Sequence, residues 1–147
     1  MLKDRLIEIL TDYFKKNAES YCIEAAFLFG SYASGFIKEE SDVDIAIVFS
    51  KDIDSDEKIL NFISQITVDI NSYINAEVDI MPIYNDFRKP MVYYNAIILG
   101  IPLYVKDKNQ YISLFNEALF QMNDFELFGT SFQLQAARNV LKEVSHG

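Results

Sequence analysis

Cysteine and histidine are nearly absent: one of each stands among 147 residues. A single Cys22 excludes an internal disulfide and a cysteine-based zinc site. The only histidine, His146, is the penultimate residue, so Ser-His and Cys-His nucleophilic schemes have no base. Basic residues are also scarce. Thirteen Lys and Arg face 22 Asp and Glu, for a net charge of −9. A protein that tracks a phosphate backbone needs clustered cations to release counterions, which argues against long nucleic acid as a direct substrate. A small anionic ligand accompanied by cations, or a basic protein partner, suits this surface. Long hydrophobic runs are missing too. The longest candidate, Met91 to Val105, is cut by Asn95, Gly100 and Pro102, so no membrane span is expected. Met1-Leu2-Lys3-Asp4 lacks the basic-then-apolar signature of a secretory signal. A cytoplasmic protein is the expectation. Neither a G-x-x-x-x-G-K-S/T loop nor a G-x-G-x-x-G fingerprint occurs, so a P-loop or dinucleotide fold has no support.

Apolar residues are plentiful, at 50%, with 14% aromatic. That is enough for one domain over residues 1–147 with a sizeable core. Leu2, Leu6, Leu10, Tyr13 and Phe14 recur at helical spacing, predicting a helix over 2–17. Ile23 to Phe29 reads as a strand, with Cys22 as a buried strand residue beside it. Ser31 to Gly35 reads as a short helical turn and Asp42 to Phe49 as a second strand. Leu60, Ile63, Ile66, Ile70 and Ile74 mark a long helix. Glu77 to Ile83 is a third strand, Pro90 to Leu99 a helix opened by its proline, and Ile101 to Val105 a fourth strand. From about Asn109 to residue 145 the chain reads as a helical extension. Ile112, Phe115, Leu119 and Met122 form one stripe there, and Leu134, Ala137, Leu141 and Val144 another, with Gly129 and Ser131 between them. Strands alternating with helices give an α/β or α+β domain, a small sheet of about four strands with helices packed on it.

The acids within the strands are the anomaly. Residues i and i+2 of a strand share a face, so Asp42 and Asp44 project together while Val43, Ile45, Ile47 and Phe49 anchor the other side. Two carboxylates about 4 Å apart at an effective dielectric near 20 repel by about 4 kcal/mol. One would tend to hold a proton, and a divalent cation removes the conflict. Carboxylate-only ligation suits Mg²⁺ or Mn²⁺. The alternative is a solvent-facing strand end with Asp42 capping a turn after Ser41. Asp79 repeats the pattern between Val78 and Ile80, and Glu77 shares its face nearer the strand start, where a solvated edge acid is the plainer reading. If the two acid-bearing strands are neighbours, three carboxylates converge as two-metal nucleotidyl or phosphoryl transfer requires. Gly30-Ser31, between a strand and a helical turn, offers outward N–H groups and a hydroxyl to an anion, although an ordinary turn also uses Gly-Ser.

Ten residues separate Ser31 from Asp42. The resulting pattern, "FLFGSYASGFIKEESDVDIAIVF" plus "AEVDIMPI", resembles the polymerase-beta-type nucleotidyltransferase superfamily in its minimal form. Within it, the sequence is most similar to MNT-domain antitoxins, which pair with HEPN-domain toxin ribonucleases. The likeness covers roughly residues 22–105. It implies a mixed sheet, two Mg²⁺ ions and a nucleoside triphosphate. By position, Gly30 and Ser31 would bind the triphosphate, Asp42 and Asp44 would ligate both ions, and Asp79 would complete the site and help deprotonate the attacking hydroxyl. The resemblance further implies AMP transfer from ATP to a tyrosine of the HEPN toxin, forming a hetero-oligomer and neutralising the ribonuclease. Phe115, Phe120, Phe125, Phe128 and Phe132 are compatible with a partner surface or with packing on the sheet. Lys38, Arg88 and Lys89 are the nearby cations, with solvent or a phosphate as alternatives for Lys38. Two rival readings keep the same acids or dispense with them. One is a small-molecule nucleotidyltransferase of the aminoglycoside-modifying type, which would normally carry a larger second domain. The other is an antitoxin that acts by contact alone.

Overall fold

A computed structural model describes residues 3–34, 42–84 and 88–123. The elements run α1 (Lys3–Asn17), β1 (Ile23–Phe29), α2 (Ser31–Ser34), β2 (Val43–Phe49), α3 (Asp56–Asn71), β3 (Val78–Pro82), α4 (Pro90–Ile97) and β4 (Ile101–Val105), followed by α5 over 108–123. Lys38, Gly129, Ser131, His146, the aromatics Phe125, Phe128 and Phe132, and the stripe from Leu134 to Val144 lie outside the described residues.

The four strands form one mixed sheet in the order β3-β2-β1-β4. β1 pairs antiparallel with both β2 and β4. β2 and β3 run parallel, a pairing that needs a crossover connection, which the helix α3 supplies. Strand alternation divides the apolar residues between two cores. Ala26, Leu28, Val43, Ile45, Ile47 and Phe49 pack against Leu6, Leu10 and Phe14 of α1 and Ile59, Ile66 and Ile70 of α3. On the opposite face Ala25, Phe27, Ala46 and Val48 meet Tyr93, Ala96 and Ile97 of α4 and Ala118 of α5. A register shift between Ile23 and Ala25 lets Ile23 serve the first core and Ala25 the second, the expected effect of a β-bulge.

Three details depart from periodicity alone. Cys22 is exposed, not buried. It has φ +55° and lies in the turn that ends α1. Ile23 N–H donates to Ala18 O at 2.9 Å and Cys22 N–H to Glu19 O at 3.2 Å. This pair of bonds is a Schellman-type ending, whose penultimate residue must be left-handed. In α3 the core side begins at Ile59, and Leu60 is 59% exposed. In α5 the inward stripe is Tyr111, Leu114, Phe115 and Ala118, and Ile112 is 47% exposed. The Tyr111 ring stacks on Phe27 at 5.9 Å and meets Phe115 at 6.2 Å, which fixes that helix's rotation.

α1 and α3 are also joined by a polar clamp. Tyr13 and Tyr21 hydroxyls donate to Asp69 Oδ2 at 2.7 and 2.8 Å, and Gln65 donates to Oδ1 at 3.1 Å. Partial burial pushes the Asp69 carboxyl up, but the three hydrogen bonds outweigh it and hold the group below its ordinary range. Burial, then the Asp69 carboxylate, pushes the Tyr13 hydroxyl well up. The clamp therefore favours the fold above the usual carboxylate pKa and weakens as pH falls through the lowered value.

Candidate active site

The register brings the strand acids together. Asp44 on β2 is the direct partner of Asp79 on the parallel strand β3, and adjacent strands lie about 4.8 Å apart. On its other side Asp44 is the partner of Phe29, the last residue of β1. Asp79, Asp44 and Phe29 thus form a row across three strands on one face, the face that farther along packs against α4 and α5. Asp42 lies one residue ahead of β2 rather than inside it. Val43 N–H donates to Glu77 O at 2.8 Å and pins the two strand starts together. Asp42, Glu77, Val78 and Asp79 line a small cleft of about 250 Å³.

Asp42 and Asp79 are exposed and Asp44 is half-buried. Desolvation, then the charge of Asp79, then that of Asp42, push the Asp44 carboxyl above the usual range. All three influences act in one direction, as expected of an oxygen-only donor set without a compensating cation. Among the described residues no three His, Cys, Asp or Glu side chains close into a ready-made metal shell. The donor set fits a hard divalent ion in its chemistry: oxygen ligands only, and carboxylates that repel until a cation joins them.

The raised Asp44 group makes a prediction about stability. Below the unfolded-state carboxyl pKa of about 3.9 both states carry the proton and Asp44 contributes nothing. As pH rises from there through the raised folded value, the unfolded chain ionises first and stability is lost. Asp44→Asn is therefore expected to raise the melting temperature in EDTA at pH 7.5, with a smaller gain at pH 4. Added Mg²⁺ should stabilise the wild type more than the variant. Thermal melts over that pH range test both statements; a variant less stable than wild type at pH 7.5 in EDTA contradicts them.

Gly30 follows Phe29 directly, with φ +72°. A Cβ there would collide with Asp44 Oδ2 and lie 3.3 Å from Asp44 Cγ. The glycine therefore fits the left-handed backbone and leaves room for the carboxylate. Ser31 opens α2. On the α4 side, Phe29, Gly30, Ala33, Asn95 and Leu99 line a second cleft of about 320 Å³. Arg88 and Lys89 are exposed, and the Arg88 guanidinium lies 4.0 Å over the Tyr84 ring. Sequence spacing singled out Gly30, Ser31, Asp42, Asp44 and Asp79. It missed the Gly30–Asp44 packing and the Asn95–Leu99 wall, because neither follows from spacing within one element.

A mixed sheet that sets paired strand acids beside a Gly-Ser turn is a nucleotidyltransferase arrangement. Residues 8–109 match the family model described as polymerase beta, nucleotidyltransferase, and the chain belongs to that family. Among solved structures, the chain is similar to one in a toxin–antitoxin crystal structure with AMP-PNP, with 13% identity and a TM-score of 0.64 over 86% of this chain and 97% of that one. It is similar to a chain of the toxin–antitoxin MntA–HepT, with 11% identity and a TM-score of 0.62 over 88% and 97%. A third likeness is to a chain in the complex of tri-AMPylated Shewanella oneidensis HEPN toxin with MNT antitoxin, with 16% identity and a TM-score of 0.54 over 96% and 99%. At these identities the shared property is the fold. No curated protein matches the sequence. Among the described residues no helix is long and apolar enough to cross a membrane.

Proposed function

We propose that this chain is a cytoplasmic antitoxin that works as a Mg²⁺-dependent protein adenylyltransferase, moving AMP from ATP to a tyrosine of a partner HEPN toxin ribonuclease. The observation that carries this reading is the pairing of Asp44 with Asp79 on one face, with Gly30 packed beside Asp44. Membership of the nucleotidyltransferase family supports the transfer chemistry. The fold shared with chains of toxin–antitoxin complexes, one holding AMP-PNP and another an AMPylated HEPN toxin, supports the partner and the nucleotide.

In this reading Gly30 and Ser31 bind the triphosphate. Asp42, Asp44 and Asp79 would hold two Mg²⁺ ions, whose chemistry is to lower the pKa of the attacking hydroxyl and to neutralise the departing pyrophosphate. The tyrosine oxygen forms a bond to the α-phosphorus as the bond to the pyrophosphate oxygen breaks. In the same reading Asp79, exposed at the β3 end of the row, receives the hydroxyl proton from an incoming partner. An AMP group on the toxin adds bulk and negative charge where RNA phosphates would approach. The acidic balance of this chain suits a protein partner better than direct nucleic-acid contact.

The test is to incubate the purified chain with ATP, Mg²⁺ and its coexpressed partner and to measure the partner's intact mass. Increments of whole AMP units that vanish in EDTA are expected. An unchanged partner mass overturns the proposal.

A further inference from the structure

Two clefts flank the Asp79–Asp44–Phe29 row, and they differ in chemistry. The one at the β3 end is walled by Asp42, Glu77 and Asp79. The one at the β1 end is walled by Phe29, Ala33 and Leu99, with the backbone of Gly30 as its inner edge and Asn95 as its polar group. Asn95 projects from α4 and is exposed, and Leu99 is 61% exposed. The Asn95 amide is not engaged in a hydrogen bond with any other described residue.

We infer that the β1-end cleft receives the nucleoside of the bound triphosphate, with Asn95 as the residue that reads the base; this rests on the nucleotidyltransferase reading above. The argument is one of direction. Two clefts adjoin a triphosphate held at Gly30 and Ser31, beside Asp44. The acid-walled cleft suits cations and the attacking hydroxyl. The β1-end cleft has the composition of a small-molecule site: apolar walls, one aromatic ring and a single orienting polar side chain. A base can stack on an aromatic face irrespective of its identity. A carboxamide presents one acceptor and two donors, and adenine's amino group and ring nitrogen can match an acceptor and a donor together. Guanine presents a carbonyl where adenine presents the amino group, so the pairing reverses. Leu99 closes the outer side against water. The nucleotide thus lies along the β1 end while the acceptor enters at β3, and the two substrates do not compete for one opening.

The test compares binding of ATP, GTP and inorganic tripolyphosphate, each with Mg²⁺, by calorimetry to wild type, Asn95→Ala and Leu99→Glu. Both positions are exposed, so both variants should fold. One lost hydrogen bond is expected to weaken ATP about fivefold to tenfold in Asn95→Ala and to shrink the ATP-over-GTP preference. Leu99→Glu should weaken both nucleotides. Tripolyphosphate should bind wild type and Asn95→Ala alike. If wild type binds ATP and both variants bind it equally well, the nucleoside lies elsewhere and the inference is overturned alone. If wild type binds neither ATP nor tripolyphosphate, the nucleotidyltransferase reading falls and takes the inference with it.

Discussion

Asp42→Asn combined with Asp44→Asn is expected to abolish AMP transfer while leaving the chain folded. Asparagine keeps the shape of aspartate but removes the charge that a divalent cation needs. Loss of that cation's several kcal/mol of transition-state stabilisation, at about 1.4 kcal/mol per tenfold in rate, corresponds to a decrease of roughly a thousandfold or more. The electrostatics of the row separate this loss from unfolding. Burial and two neighbouring carboxylates push Asp44 above its ordinary range, so removing the charges relieves repulsion instead of breaking a favourable pair. The double variant should melt no lower than wild type in EDTA. Two readouts are needed: AMP incorporated into the partner, and growth of cells that express the partner. If incorporation stops and growth arrest returns, transfer is the means of neutralisation. A variant that still rescues growth as well as wild type would instead assign neutralisation to contact alone, and the acids would then serve some other end.

The chain disclosed its local features better than its pairings. β1 and β4 fall at the bounds that their apolar runs and the Gly30 and Gly100 breaks predict, because a buried strand flanked by turn residues has few other options. Helix positions were legible and helix rotation less so. Leu60 and Ile112 belong to apolar stripes but face solvent, since a stripe wider than the contact leaves its edge outside. Alternation showed that Asp42 and Asp44 share a face. It could not show that β3 lies next to β2, because neighbour choice depends on the α3 crossover and on which core each face must fill. The same limit hid the contact between Gly30 and Asp44, and the α4 wall that sets Asn95 opposite Phe29. The Tyr13–Asp69–Tyr21 clamp spans more than 40 residues of chain, and no spacing rule connects its members. Cys22 misled for another reason: its residue type favours burial, whereas a left-handed turn took the position.

Gly30→Ala should cost far more activity than stability. A left-handed residue other than glycine loses about 1–2 kcal/mol, which for a chain of this size lowers the melting temperature by roughly 2–8 °C. The larger effect is local. The new methyl carbon would collide with Asp44 Oδ2, so the carboxylate must leave its present place beside Asp79, its partner across the strands. A displacement near 1 Å at a reacting centre can reduce turnover about a hundredfold. Two roles for Gly30 make different predictions here. If its lack of a side chain serves the carboxylate, Mn²⁺ binding should weaken in Gly30→Ala about as much as in Asp44→Asn, and the combined variant should be little worse than either, because both changes remove one ligand. If Gly30 serves only the phosphates through its backbone, Mn²⁺ binding without nucleotide should stay near wild type in Gly30→Ala, and the two losses in nucleotide binding should add. The close approach of the glycine to Asp44 favours the non-additive outcome: residue 30 would then shape the metal site as well as the triphosphate site, and no larger side chain could meet both demands.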